Sequence, residues 1–170
     1  MTKFLSQLTC SRDNTINLTI RVVAAYRSIV DFVLPALAGC LNRVKTPTVI
    51  TNMQYWAQVF NALSAPATRL VDLLLGFDLR LGGGSAPDDD PVLPSNIFGG
   101  VATSLHSVQL HNIRLPGGSV PAFKTVEHAF LGSDEHDNPF KLQSWLNVFP
   151  AGHSFDFQSH SFIMDPRRRT

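Results

Sequence analysis

Six histidines are the residues of this chain best suited to chemistry: His106, His111, His128, His136, His153 and His160. Imidazole can ligate a metal or move a proton near neutral pH, but only when other groups converge on it. No HExxH pair is present. His106 and His111 are five apart, which on a strand puts them on opposite faces, and His153 and His160 are divided in the same way. These four read as solvated strand positions. His128 differs, because in FKTVEHAF it stands at an otherwise apolar position. A core histidine bonded to a backbone carbonyl is the plain reading. The sharper one is a general base working with Asp134 in a hydrolase-like fragment.

The acidic runs fare no better as sites. Asp88, Asp89 and Asp90, and Asp134, Glu135 and Asp137, lack the D-x-D-x-D-G spacing that wraps oxygens around calcium. Gly82-Gly83-Gly84-Ser85 is followed by neither Lys-Ser/Thr nor a helix start, so it is a poor phosphate cradle. No G-x-S-x-G elbow offers a nucleophile. Cys10 and Cys40 are too far apart for a CxxC unit and too few for a structural metal site; they either pair or stay as buried thiols. The residue chemistry therefore assigns no catalytic residue, no cofactor and no metal, and the chain is not expected to be an enzyme.

The bulk properties narrow the partner. A chain of 170 residues fits a single domain spanning 1–170. Its 44% hydrophobic and 16% charged content suits a folded globular protein. A net charge of +1 gives no reason to propose nucleic acid or an acidic membrane. The basic tripeptide Arg167–Arg169 sits in a tail, 163–170, read as a solvated terminus. The first residues lack the apolar core of a secretory signal. The longest apolar run, Ile29 to Leu41, is interrupted by Asp31 and Pro35 and is too short for a bilayer. An intracellular, soluble protein of cytoplasm or nucleus is the expectation.

The elements that would position side chains follow from periodicity. Ile16, Leu18, Ile20 and Val22 alternate as a half-buried strand. Pro35 suits the first turn of a helix within Tyr26–Leu41. Trp56, Val59, Phe60 and Leu63 make an apolar helix face that Asn52 can cap, and Leu142, Trp145, Leu146 and Phe149 make another. Between them lies LPSNIFGGVATSLHSVQLHNIRLP, Leu93 to Pro116. It holds a short helical piece at Ile97 and Phe98, a break at Gly99 and Gly100, then Leu105, Val108, Leu110 and Ile113 as L-x-x-L-x-L-x-x-I. Leu70, Leu73 and Leu75 repeat that spacing. Residues 81–94, with three glycines and three aspartates, read as an inserted mobile loop.

Aligning the first strand position of each such cell gives Leu18, Val44, Leu73, Val108, Val126 and Phe155, separated by 26, 29, 35, 18 and 29 residues. Most separations fall near the leucine-rich-repeat period of roughly 20–29 residues, and the long one contains the aspartate loop. The expected fold is α/β: a short leucine-rich-repeat-like solenoid of parallel strands with irregular helical returns, best defined over 59–131. Such a stack exposes a rigid row of strand-face residues suited to gripping another protein. By register these are Arg69, Asp72, Leu74, His106, Ser107, Gln109, Lys124 and Glu127.

The segments ALSAPATRLVDLLLGF, LPSNIFGGVATSLHSVQLHNIRLP and VPAFKTVEHAFLG, in that order, resemble the repeat region of fungal F-box-like proteins. The resemblance covers about residues 59–131. It implies the substrate-recognition part of a ubiquitin ligase, with an unknown protein target. The F-box, a short helical unit that opens on a Leu-Pro phrase and docks the ligase adaptor, has no counterpart among these residues. Direct adaptor binding is therefore not expected, and a truncated remnant without independent function is the alternative.

Overall fold

The computed structural model of the chain describes residues 16–21, 29–77, 91–132 and 142–158. Most of the 81–94 loop, the polar run after Gly132 and the tail lie outside them. So do Cys10, Asp134, His136 and His160.

The fold is α/β, with few helices and one six-stranded, all-parallel sheet whose strands lie side by side in sequence order. They are β1 (Ile16–Arg21), β2 (Val44–Thr51), β3 (Asp72–Phe77), β4 (Ser107–His111), β5 (His128–Gly132) and β6 (Ser154–Gln158). Three seven-residue helices lie in the returns: α1 (Leu34–Cys40), α2 (Trp56–Ala62) and α3 (Leu142–Val148). Among the described residues, the β3–β4 and β4–β5 returns carry 3-10 turns, Ile97–Gly100 and Pro121–Phe123, in place of an α-helix. Parallel neighbours need a crossover between them, and the described part of each return packs into one hydrophobic cluster against the sheet.

Strand alternation sets that side. Ile20, Val49, Leu75, Leu110 and Leu131 are paired in register and all are buried. Leu73, Val108 and Ala129 form the row before them, also paired and buried. Beneath these rows the returns contribute Leu37 and Leu41, Val59 and Leu63, Ile97 and Phe98, Phe123, and Val148 and Phe149, all in one continuous hydrophobic cluster. The opposite face of the sheet has no layer over it among the described residues.

Three residues before the first inward strand position, the chain turns a corner. Val44, Leu70, Leu105 and Val126 occupy it, each with no exposed surface. The residue after the corner joins one strand to the next. Val71 donates its N–H to the Lys45 carbonyl at 2.8 Å, and His106 and Ser107 both donate to the Val71 carbonyl. Glu127 and His128 then bond the His106 carbonyl, and His153 and Ser154 the Glu127 carbonyl. Side chains staple the same edge: Ser104 donates to the Thr68 carbonyl and Thr125 to that of Leu105, each at 2.9 Å.

This register corrects the sequence alignment at two cells. Val44 and Val126 are corner residues, and the first inward positions they were taken for are Pro47, paired with Leu18, and Ala129, paired with Val108. The corrected inward row Ile20, Val49, Leu75, Leu110, Leu131 and Phe157 is spaced 29, 26, 35, 21 and 26 residues apart. Three smaller corrections follow. Asn52 gives α2 no side-chain cap; its carbonyl instead accepts the Tyr55 N–H at 3.2 Å. On α3 the inward residues are Trp145, Val148 and Phe149, while Leu146 is 46% exposed. Pro91–Pro94, read as loop, is pinned: Leu93 donates to the Arg114 carbonyl and Arg114 to that of Pro91, both at 2.9 Å.

Candidate functional site

The uncovered face of the sheet is built from the residues between the inward ones, and its rows are explicit in the pairing. Asp72, Ser107, His128 and Ser154 form the row at the start of β3–β6. Thr19, Thr48, Leu74, Gln109, Phe130 and Asp156 cross all six strands in the next. Beyond it, Ile50, Gly76, His111 and Gly132 run across β2–β5. Strands about 4.8 Å apart hold such rows at fixed spacing, so the face is a rigid array rather than a set of loop tips.

Of the residues read as a binding face, Asp72, Leu74, Ser107 and Gln109 stand on it. His106 and Glu127 lie just ahead of β4 and β5, exposed, with His106 Nδ1 3.9 Å from Glu127 Oε1. An exposed pair at that distance contributes little to stability. Arg69 and Lys124 belong to the returns, on the far side of the corners at Leu70 and Val126. The sequence reading missed His128, Phe130, Ser154 and Asp156, which complete the face. A corner placed at Val126 by analogy with Leu70 and Leu105 would have found the first two.

His128 is corrected outright. It is exposed on the open face, and its neighbour Ala129 takes the inward position. It lines a groove of about 280 Å³ with Ser107, Gln109, Phe130, Ser154 and Asp156, floored by Ala129. Serine, histidine and aspartate thus share one depression. Yet among the described residues no hydrogen bond joins these side chains. The nucleophile–base contact that acyl transfer requires is not assembled.

His111 sits farther along the face, partly buried, its ring 5.2 Å from that of Phe130. Glycines flank it on both neighbouring strands, Gly76 on β3 and Gly132 on β5. A Cβ on Gly132 would lie 2.6 Å from His111 Nδ1, so the imidazole leans into space that only glycine leaves. Just past β4, Asn112 turns the chain with a φ of 53° and donates through Nδ2 to the Phe77 carbonyl at 3.0 Å, which ties the ends of β3 and β4 together.

Cys40 is buried under the β1–β2 end of the sheet as a free thiol. Burial raises its pKa, against a smaller lowering by the Arg43 charge, so it stays protonated and is not an activated nucleophile. No group of histidine, cysteine and acidic residues fit to hold a metal occurs among the described residues. No described helix is long and apolar enough to cross a membrane. The chain matches no protein-family model, no curated protein and no solved structure.

Proposed function

We propose that the chain is a non-catalytic protein-binding module, a short leucine-rich-repeat-like solenoid that grips its partner with the open face of the sheet. The uncovered rows from Asp72 to Asp156 carry this reading. A rigid, mostly polar array with a few apolar side chains, Leu74 and Phe130, has the mixed character of a recognition surface. The resemblance of residues 59–131 to the repeat region of F-box-like proteins points the same way, to substrate recognition for a ubiquitin ligase. No stretch of these residues resembles the adaptor-docking unit, so direct adaptor binding is not expected.

The test uses substitutions on opposite sides of the molecule. A partner recovered with the chain should bind it again when both are purified. Gln109→Arg, at the centre of the face, should weaken that binding about tenfold or more, as loss of a central contact does. Asn61→Arg, exposed on a return, should leave it unchanged. Binding that survives at Gln109 and fails at Asn61 would place the interface elsewhere and sink the proposal.

A further inference from the structure

On the assumption that the open face is a docking surface, we infer that its occupant is a basic segment of a partner protein, with one arginine seated in the groove between β4, β5 and β6. The argument begins with charge. Strands β3 to β6, each taken with the residue just before it, carry Asp72, Glu127 and Asp156 and not one lysine or arginine. The chain as a whole is slightly positive at +1, and the β1–β2 end carries Arg21 and Lys45, so this excess of carboxylate is local to the β3–β6 part of the face. A surface of one sign steers and selects a partner segment of the other.

The groove narrows the choice of side chain. At about 280 Å³ it lies at the small end of ligand pockets, which run from about 300 to 1,000 Å³, and it has room for one long side chain rather than a folded element. Phe130 lies partly exposed in its wall, and Asp156 is its register partner on β6. An aromatic ring beside a carboxylate suits a flat cation, which stacks on the ring and bonds the acid. Ser107, Gln109, His128 and Ser154 line the same walls, and the hydroxyls and the Gln109 side chain can add acceptors. A guanidinium brings five N–H donors and no acceptor, so it matches this set of groups. A carboxylate in the same place would be repelled by Asp156.

The probe is a nine-residue glycine–serine peptide carrying three arginines, titrated into the full chain and followed by amide shifts in NMR. Its citrulline and glutamate counterparts serve as comparisons. The arginine peptide should shift Gln109, Phe130 and Asp156 and lose affinity with added salt. Asp156→Asn and Phe130→Leu, both at exposed or partly exposed positions and checked for folding by circular dichroism, should each weaken it by about fivefold. The citrulline peptide, flat but uncharged, should bind at least about fivefold more weakly still than the arginine one. Equal binding of the citrulline peptide, or shifts confined to the returns, would overturn the inference. If the glutamate peptide shifts the face while the arginine peptide does not, the docking surface stands and its preference for a cation falls. If neither peptide moves any residue of the face, the inference and the proposed function fall together.

Discussion

His111 stands between two glycines that do different work. A Cβ on Gly76 would rest 3.5 Å from Ile50 and 3.8 Å from the His111 Cβ, which is ordinary contact. A Cβ on Gly132 would press to 2.6 Å on the imidazole nitrogen. Gly76→Ala should therefore be neutral or stabilise by about 0.4–1 kcal/mol, through the narrower unfolded ensemble. Gly132→Ala should cost about 1–3 kcal/mol as an overpacked site. Adding His111→Ala to Gly132→Ala should recover most of that loss, because the clash then has no partner. Urea unfolding of the four proteins measures all of this. A Gly132→Ala protein as stable as the parent would show that the ring swings aside freely. Neither glycine stands out in the sequence, where GF and LG look like strand ends. Only the pairing of three strands brings them to either side of one histidine.

At the scale of elements, the sheet was legible wherever large aliphatic residues mark both inward positions, as in Leu73 and Leu75 or Val108 and Leu110. It was misread where they do not. In β5 the inward pair is Ala129 and Leu131, and the bulkier Phe123, Val126 and Phe130 draw the reading three residues too early. In β2 the inward position is Pro47, a residue that strand patterns exclude because it has no N–H to give. The β2–β3 pairing starts only after it, at Thr48 and Leu74. The face residue Phe130 was lost through the same slip, whereas Asp156 was passed over although Phe155 and Phe157 on either side of it were read as the inward pair. The last strand departs from the others differently. Its corner is Gly152, and the Phe155 ring fills the space where a side chain would stand.

That ring belongs to an aromatic layer under β5 and β6 that stands in for aliphatic packing. Phe123 and Phe149 stack at 5.4 Å with their planes 5° apart, and Trp145 meets Phe149 at 5.9 Å and Phe155 at 5.7 Å. Both stacked rings are fully buried. Phe123→Ala should cost about 3–5 kcal/mol. The double-mutant cycle with Phe149→Leu should return a coupling of about 0.5–1.5 kcal/mol, the part that belongs to the ring pair beyond its area. A coupling near zero would mean that the two rings act only as bulk.

Over the whole molecule, two tendencies compete. Each strand pairs only with its sequence neighbours, and an array built that way can unzip from an end. Against this, the buried cluster is continuous from Leu18 and Leu37 to Trp145 and Phe149, so losing one end exposes the next strand's inward residues. We expect the second effect to win and the chain to unfold in one transition. Cys40, under the β1–β2 end, and Trp145, under β6, report on the two ends. In a Cys10→Ser, Trp56→Phe background, thiol labelling of Cys40 and emission from Trp145 should give the same urea midpoint; separate midpoints would show unzipping. The thiol adds a pH signature. Burial raises the folded pKa of Cys40 above that of the unfolded chain, about 8.5. Its contribution to stability is therefore complete below that pH. Above it the unfolded state gives up the proton first, and stability falls as pH rises toward the folded value. Cys40→Ala should remove this part of the slope between pH 8 and the raised folded pKa, measured as the midpoint shift relative to the parent. An unchanged slope would mean that the thiol reaches solvent in the folded chain, and that the packing beneath β1 and β2 is looser than its burial implies.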